Sequence, residues 1–279
     1  PRLLSAVVTT HNSMATLGVC LDSLAFCDEI LVLDSGSADA TVDFARERGA
    51  CVFIEPFRGY AAQKQRAVDL ASNDWVLLLD SDEWLEAGAS AVLRATLEDM
   101  AGDVAGFSLR RREWLFWRWQ HPRSRHNRYV RLFDRRRARL SHHAVHETVI
   151  AEGRVIALPV LLMHRGDADI AAKIDKANRY SSLQQPDIAR RDVRGLQWRM
   201  LLYPHVAFLR YYLLRGHWRE GWAGFVAARV HAFYAFAKYA KAYGNRQQPD
   251  SMACPTAACG ASHSAGAARH SGTLDSPHP

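Results

Sequence analysis

Five apolar residues run without a break into three carboxylates in W-V-L-L-L-D-S-D-E, at 75–83. A continuous apolar run this short predicts a strand covered on both faces, as inside a parallel sheet. The carboxyl end of that strand carries Asp80, Asp82 and Glu83. Ligands of open α/β sheets bind beyond the carboxyl ends of the strands, and clustered oxygens there suit a divalent cation with a phosphate-bearing ligand. A solvated turn rarely packs three carboxylates against their mutual repulsion. The stretch therefore points to a fold class and a site together.

The residues around it supply the rest of such a sheet. Strands are predicted at 3–9, 29–33 and 51–54, and helices at 16–26, 41–48 and 61–71, with Gly49 as a C-terminal stop. This alternation gives βαβ units. Beyond 83 a helix is predicted at 88–100 and strands at 106–113, 128–133 and 155–163, the last running into His164. An aromatic, arginine-rich loop is predicted at 114–125. From 170 the chain reads as helical and, from 196 to 243, as rich in aromatics. The expected organisation is an α/β domain over 1–168, a helical region over 169–244, and a tail over 245–279 whose composition predicts disorder.

Charge is uneven. Residues 1–100 carry seven Lys/Arg and sixteen Asp/Glu, and the other 179 carry twenty-nine and thirteen. Twelve arginines and two acids lie between 110 and 139, which implies an anionic partner: phosphates, a nucleic acid or an anionic membrane surface. Five cysteines, an odd number without paired metal-ligand spacing, favour a reducing cytosol. The apolar segment at 3–10 is too short for a signal peptide, and no apolar stretch reaches the roughly eighteen residues that span a bilayer.

Asp34 ends the second predicted strand as Asp80 and Asp82 end the fourth. If those strands are neighbours, the acids share one crevice, the first for a nucleoside and the other for a cation; the alternative is that Asp34 and Asp39 only shape turns and cap a helix. His142, His143 and His146 invite a zinc reading that fails on spacing, since H-x-x-H-E is neither H-E-x-x-H nor H-x-x-E-H.

V-V-T-T-H-N, I-L-V-L-D-S-G-S-A-D-A-T, A-A-Q-K-Q-R-A and W-V-L-L-L-D-S-D-E resemble, in order, the signature stretches of family 2 glycosyltransferases. V-R-L-F at 130–133, A-V-H-E-T at 144–148, L-M-H at 162–164 and the aromatic C-terminal section resemble the subgroup containing lipopolysaccharide core β-glucosyltransferases. The resemblance covers residues 3–243. It implies an inverting enzyme of the GT-A fold, Rossmann-like with a mostly parallel sheet flanked by helices, here with a helical, aromatic-rich extension.

By position, the resemblance implies that Thr9, His11 and Asn12 line the nucleotide pocket, that Asp34 contacts uracil or ribose, and that Lys64 lies near the diphosphate. Gln65 stands where the family more often has Asn. Asp80-Ser81-Asp82 becomes the D-x-D element, with Asp82 a direct ligand of Mg²⁺ or Mn²⁺ and His164 near the metal and diphosphate. Inverting transfer needs a general base to take the acceptor proton, and Glu147 matches the base-bearing segment; the alternative is an ion pair with a nearby arginine. Trp114, Trp119 and Arg131 are assigned to the acceptor, against a packed lid or a nucleic-acid surface.

The aromatics and arginines from 198 to 222 have the composition of a helix at a membrane interface, with core packing explaining some of the same residues. The implied reaction moves glucose from UDP-glucose to a heptose of the lipopolysaccharide core, by a peripheral protein on the cytoplasmic face of the inner membrane. Another sugar with a cell-wall or lipid-linked acceptor is the nearest alternative. A basic nucleic-acid-binding protein is the alternative from another class, although no nucleic acid is expected as a partner of the enzyme.

Overall fold

A computed structural model of the chain describes residues 2–141, 148–167, 169–188 and 192–247. Glu147, the three histidines of the rejected zinc reading and the tail from 248 lie outside the described residues. The first half runs β1 (Leu4–Thr10), α1 (Met14–Leu24), β2 (Glu29–Asp34), α2 (Thr41–Glu47), β3 (Cys51–Ile54), α3 (Tyr60–Leu70), β4 (Trp75–Asp80), β5 (Glu83–Leu85) and α4 (Ala89–Asp99). There follow β6 (Val104–Leu115), β7 (Arg118–Trp119), β8 (Asn127–Asp134), β9 (Ala138–Leu140), β10 (Val149–Ala151) and β11 (Arg154–His164). The helical part comprises α5 (Ile170–Leu183), the single turn α6 (Gln185–Ile188), α7 (Val193–Leu209) and α8 (Trp222–Gln247), with a π-helical turn at Arg210–Leu214 and a 3₁₀ turn at His217–Glu220.

The main sheet has the order β3-β2-β1-β4-β8-β6-β11-β5, with β7 paired to β6. The first four strands are parallel, as the βαβ alternation requires. Beyond β4 the sheet is mixed, because β8 is antiparallel to both β4 and β6. The cause lies in 114–125, expected to be a loop. Trp114 pairs with Trp119 across a tight hairpin, and a chain that turns back by a hairpin, without a helical crossover, lays its next strand antiparallel.

β4 is buried on both faces, as its composition predicts. Leu77 and Leu79 face a core shared with Leu17 and Leu21 of α1 and Leu93 and Leu97 of α4. Val76 and Leu78 face Ala67 and Val68 of α3. Alternation along a strand then directs Asp80 to the α3 side. Strands β2 and β4 are not neighbours; β1 lies between them, with Thr10 in register with Asp34 and Thr9 with Asp80.

Candidate active site

At the end of β2 the geometry corrects one assignment. Asp34 is fully buried. Its Oδ1 accepts from the backbone N–H groups of Gly36 (2.9 Å) and Ser37 (2.7 Å), and its Oδ2 accepts from Thr10 Oγ1 (2.8 Å) and the Ser37 hydroxyl. Burial raises the pKa of this carboxyl, but the Ser37, Thr10 and Gly36 hydrogen bonds outweigh it and hold it below the usual range. The turn needs a positive φ at Gly36, +89°. With its oxygens occupied, Asp34 builds the turn that presents the next residue, and Ser35, not Asp34, lines the adjacent cleft. Asn12 also belongs to this turn: its Oδ1 accepts from Ala38 N–H at 2.8 Å, and it lies outside the cleft lining.

The three carboxylates after β4 have separate environments. Asp80 meets Lys64 Nζ at 2.7 Å and Arg131 Nη2 at 3.2 Å. Burial opposes its ionisation, but Lys64 and then Arg131 hold the carboxyl well below the usual range. Glu83 is completely buried; its Oε1 accepts from Arg131 (2.7 Å) and Arg111 (3.2 Å), and its Oε2 from Asp80 N–H (3.1 Å). Arg131, assigned to the acceptor, is only 6% exposed and braces this pair from beneath. Lys64 reaches Asp80 because it lies one turn before Val68 on the same face of α3. Its neighbour Gln65 points elsewhere, accepting from Leu140 N–H at 2.8 Å and donating to Asp69 at 2.7 Å, so the departure at Gln65 concerns support of β9.

Asp82 differs from both. Among the described residues no arginine or lysine bridges it, and His164 Nε2 stands 3.4 Å from its Oδ2. The other ring nitrogen, Nδ1, meets Glu113 Oε2. Strand register explains the meeting: β11 brings His164 opposite Glu83 of β5 on one side and opposite Glu113 of β6 on the other. Burial pulls the His164 pKa down, but the hydrogen bonds to Asp82 and Glu113 outweigh it and hold it at about 10.

Gly166 completes the corner. A Cβ at that position would stand 2.4 Å from His164 Cε1 and Nε2 and 3.2 Å from Asp82 Oδ2. Glycine therefore keeps open the space beside the two donor atoms. Adjacent ligands on an octahedral ion with bonds of about 2.1 Å lie about 3 Å apart, so this oxygen and nitrogen fit one divalent cation after a small approach. Among the described residues no three His, Cys, Asp or Glu side chains gather to cage a metal. A cation here would take much of its shell from phosphate oxygens and water, as Mg²⁺ commonly does.

These groups open into a cleft of about 980 Å³. Of the sequence-predicted residues, Thr9, His11, Lys64, Asp80, Asp82 and His164 line it. Trp114 and Trp119 do not. They pack edge-on at 5.1 Å, and Trp119 packs on Trp84 at 5.6 Å, forming an aromatic cluster. Sequence reasoning missed Ser35, Tyr60, Arg111 and one face of α5, where Ala172, Asp175, Lys176 and Arg179 line the opposite wall at helical spacing. That spacing was the available signal, but only the packing of α5 shows which face is turned to the cleft.

Residues 5–151 match the profile described as Glycosyl transferase family 2. The chain belongs to that family. This family 2 enzyme is 34% identical over 252 residues to the lipopolysaccharide core biosynthesis glycosyltransferase LpsC of Rhizobium meliloti (strain 1021), an alignment covering 87% of this chain and 93% of LpsC. It is 27% identical to a glycosyltransferase of Rickettsia felis, covering 85% of this chain and 88% of that one. The mannosyltransferase PcManGT of Pyrobaculum calidifontis, solved with GDP-Man and Mn²⁺, superposes with a TM-score of 0.51 over 88% of each chain at 14% identity. That likeness shows the GT-A fold. Membership of a glycosyltransferase family decides against the nucleic-acid-binding alternative, and the arginine-rich segment is largely used internally: Arg111, Arg131 and Arg136 pair with acids, and Arg112, Arg128 and Arg137 donate to backbone carbonyls.

Proposed function

We propose that this family 2 glycosyltransferase moves glucose from UDP-glucose, with inversion, to a sugar of the lipopolysaccharide core or a related glycolipid. The observation that carries the reading is the pairing of Asp82 with His164 at the edge of the cleft. Its neighbours Asp80 and Glu83 are paired with Lys64, Arg131 and Arg111, whereas Asp82 has no arginine or lysine partner among the described residues and faces His164 beside a space kept clear by Gly166. The name of LpsC supports the acceptor class.

Asp82 and His164 would hold Mg²⁺ or Mn²⁺, which offsets the charge developing on a departing diphosphate. Ligation requires a neutral imidazole, so binding there releases the His164 proton. Thr9, His11 and Ser35, at the ends of β1 and β2, form the nucleoside side of the cleft, and Lys64 and Arg111, each paired with an acid, also line it. The role assigned to Asp34 passes to Ser35. Glu147 is kept as the general base on its motif. Thr148, the residue after it, lines a smaller cavity of about 190 Å³ that shares Lys64 with the main cleft, which supports that role.

The proposed location is the cytoplasmic face of the inner membrane. No helix among the described residues is long and apolar enough to cross a bilayer. The exposed side of α7 instead carries Trp198, Leu202, Val206 and Leu209, continued by Leu214 at 77% and Trp222 at 76% exposure. Residues 193–247 contain nine Lys/Arg and one acid, Glu220, which is buried. An apolar stripe with a cationic surround matches an anionic lipid interface.

A screen of nucleotide sugars for Mn²⁺-dependent thermal stabilisation and turnover tests the reading. UDP-glucose is expected to stabilise and to be consumed, with both effects lost in Asp82→Ala. Preference for another nucleotide sugar would replace glucose, and metal-independent turnover unaffected by Asp82→Ala would remove the proposed centre.

A further inference from the structure

His164 reaches Asp82 with one ring nitrogen only because something holds the other. Glu113 does this from β6, where it pairs in register with His164. The Glu113 backbone is fixed on both sides by Gln120, whose Oε1 accepts from Glu113 N–H at 3.1 Å and whose own N–H donates to Glu113 O at 2.9 Å. Its carboxylate is divided: Oε1 accepts from Arg111 Nε at 2.8 Å, leaving Oε2 for His164 Nδ1. Arg111 in turn stacks its guanidinium 4.4 Å from the centre of the Tyr129 ring and bridges to Glu83. Few directions are left to the Glu113 side chain.

An ionised carboxylate only accepts hydrogen bonds, so Nδ1 must carry the hydrogen and Nε2 presents the lone pair whenever the ring is neutral. Nε2 is the nitrogen facing Asp82 Oδ2, and it borders the space that Gly166 leaves open. A ring without Glu113 would be free to rotate about its χ2 angle or to adopt the other tautomer. Either change would turn the lone pair away from that space.

We propose that Glu113 is a positioning residue that locks the tautomer and ring orientation of His164, so that Nε2 and Asp82 Oδ2 converge on one cation. The proposal rests on the reading that Asp82 and His164 hold the metal. Glu113 does not line the cleft; it acts through His164. Partners of this kind behind a metal-binding histidine are worth about 10- to 100-fold in metal affinity.

The test is a Mn²⁺ titration of the UDP-loaded protein, followed calorimetrically and by the nitrogen hyperfine coupling in the Mn²⁺ spin resonance signal. Variants are Asp82→Ala, His164→Ala, Glu113→Ala, Glu113→Gln and the pair His164→Ala with Glu113→Ala. Glu113→Ala is expected to weaken Mn²⁺ about 10- to 100-fold and to reduce the nitrogen coupling, with UDP binding in the absence of metal unchanged. Glu113→Gln, which keeps an acceptor oxygen and the side-chain volume, is expected to recover part of the loss and to guard against a folding defect in the alanine variant. In the His164→Ala background Glu113→Ala should cost nothing more, because the residue it positions is gone.

An equal loss in both backgrounds would overturn the proposal, since a general structural role predicts it. So would full Mn²⁺ affinity and nitrogen coupling in Glu113→Ala while Asp82→Ala and His164→Ala each weaken binding. Mn²⁺ affinity indifferent to both Asp82→Ala and His164→Ala would overturn the metal reading itself, and the proposal with it.

Discussion

The ends of β4 and β5 and the outer face of α7 handle polar and apolar groups in opposite ways. At the strand ends charge is buried and answered: Glu83 by two arginines, Asp80 by Lys64 and Arg131, Glu113 by Arg111 and His164. On α7 apolar side chains are left in the open, Trp198 at 63% and Leu201 at 59%. The first region is a set of ion pairs around Asp82, which no arginine or lysine among the described residues bridges and which faces His164. The second is an amphipathic surface whose apolar stripe has no protein cover among the described residues. Their remaining features support different parts of the proposal: a strand-end carboxylate without an arginine or lysine partner among the described residues supports the proposed cation site, and an apolar stripe without protein cover supports the proposed interface.

The contrast within the acid cluster gives the largest expected effects. Asp82→Ala should lower transfer about 100- to 1,000-fold, in the range of losing one preorganised charge-stabilising group, while the melting temperature stays near that of the parent. Glu83→Ala should do the reverse. Removing one partner of a buried charge network costs about 3–5 kcal/mol, because Arg111 and Arg131 would stay buried without it; chemical denaturation measures this. Should Asp82→Ala unfold the protein, or Glu83→Ala leave its stability intact, the distinction between an uncovered and a neutralised carboxylate would be wrong.

The α7 surface is tested with sedimented vesicles containing anionic lipid. Trp198→Ser with Leu202→Ser should weaken binding at least tenfold, since each large apolar side chain contributes on the order of 1–2 kcal/mol when it leaves water. Transfer to a soluble acceptor fragment should be unchanged. Binding indifferent to these changes would make α7 an ordinary exposed helix.

A smaller effect concerns the joint between the two regions. His217 and His231 lie in a buried group with Tyr211, whose ring stacks on His231 at 3.6 Å; Glu220 and Arg215 on the neighbouring turns and Lys173 and Glu113 from α5 and β6 also act on them. Burial pushes His217 down to about 4 and His231 to about 3. Their folded values lie below the unfolded one, so the unfolded state binds more protons between those limits and stability rises with pH across the window. Melting temperature should therefore fall as pH drops from about 6.5 toward about 4, and be insensitive to these groups above it. His231→Phe, which keeps the stack, should flatten that slope.

Much of this was readable in the residues. The βαβ alternation placed β1 to β4 within a residue or two of their observed ends, because each element has a local signature in apolar spacing and turn chemistry. The hairpin at Trp114–Trp119 was not readable, since an arginine and aromatic sequence carries no strand alternation and is ordered by pairing with a neighbour. Thr9, His11, Lys64, Asp80, Asp82 and His164, all named from the sequence, line one cleft. Asp34 and Arg131 were placed at the ligand but serve to build the walls, because motif spacing names a residue without saying which way it faces.

The sequence by itself determined that the second and fourth of four parallel strands end in acids, and that the chain carries the family's ordered motifs. Those are properties of local periodicity and of residue type. Only the tertiary structure decided which acid is paired with arginine and which with His164, since that depends on Arg111, Arg131 and His164 arriving from β6, β8 and β11 through strand register. Residues far apart in the chain share one dielectric environment only after the sheet has formed, and charge compensation is settled there.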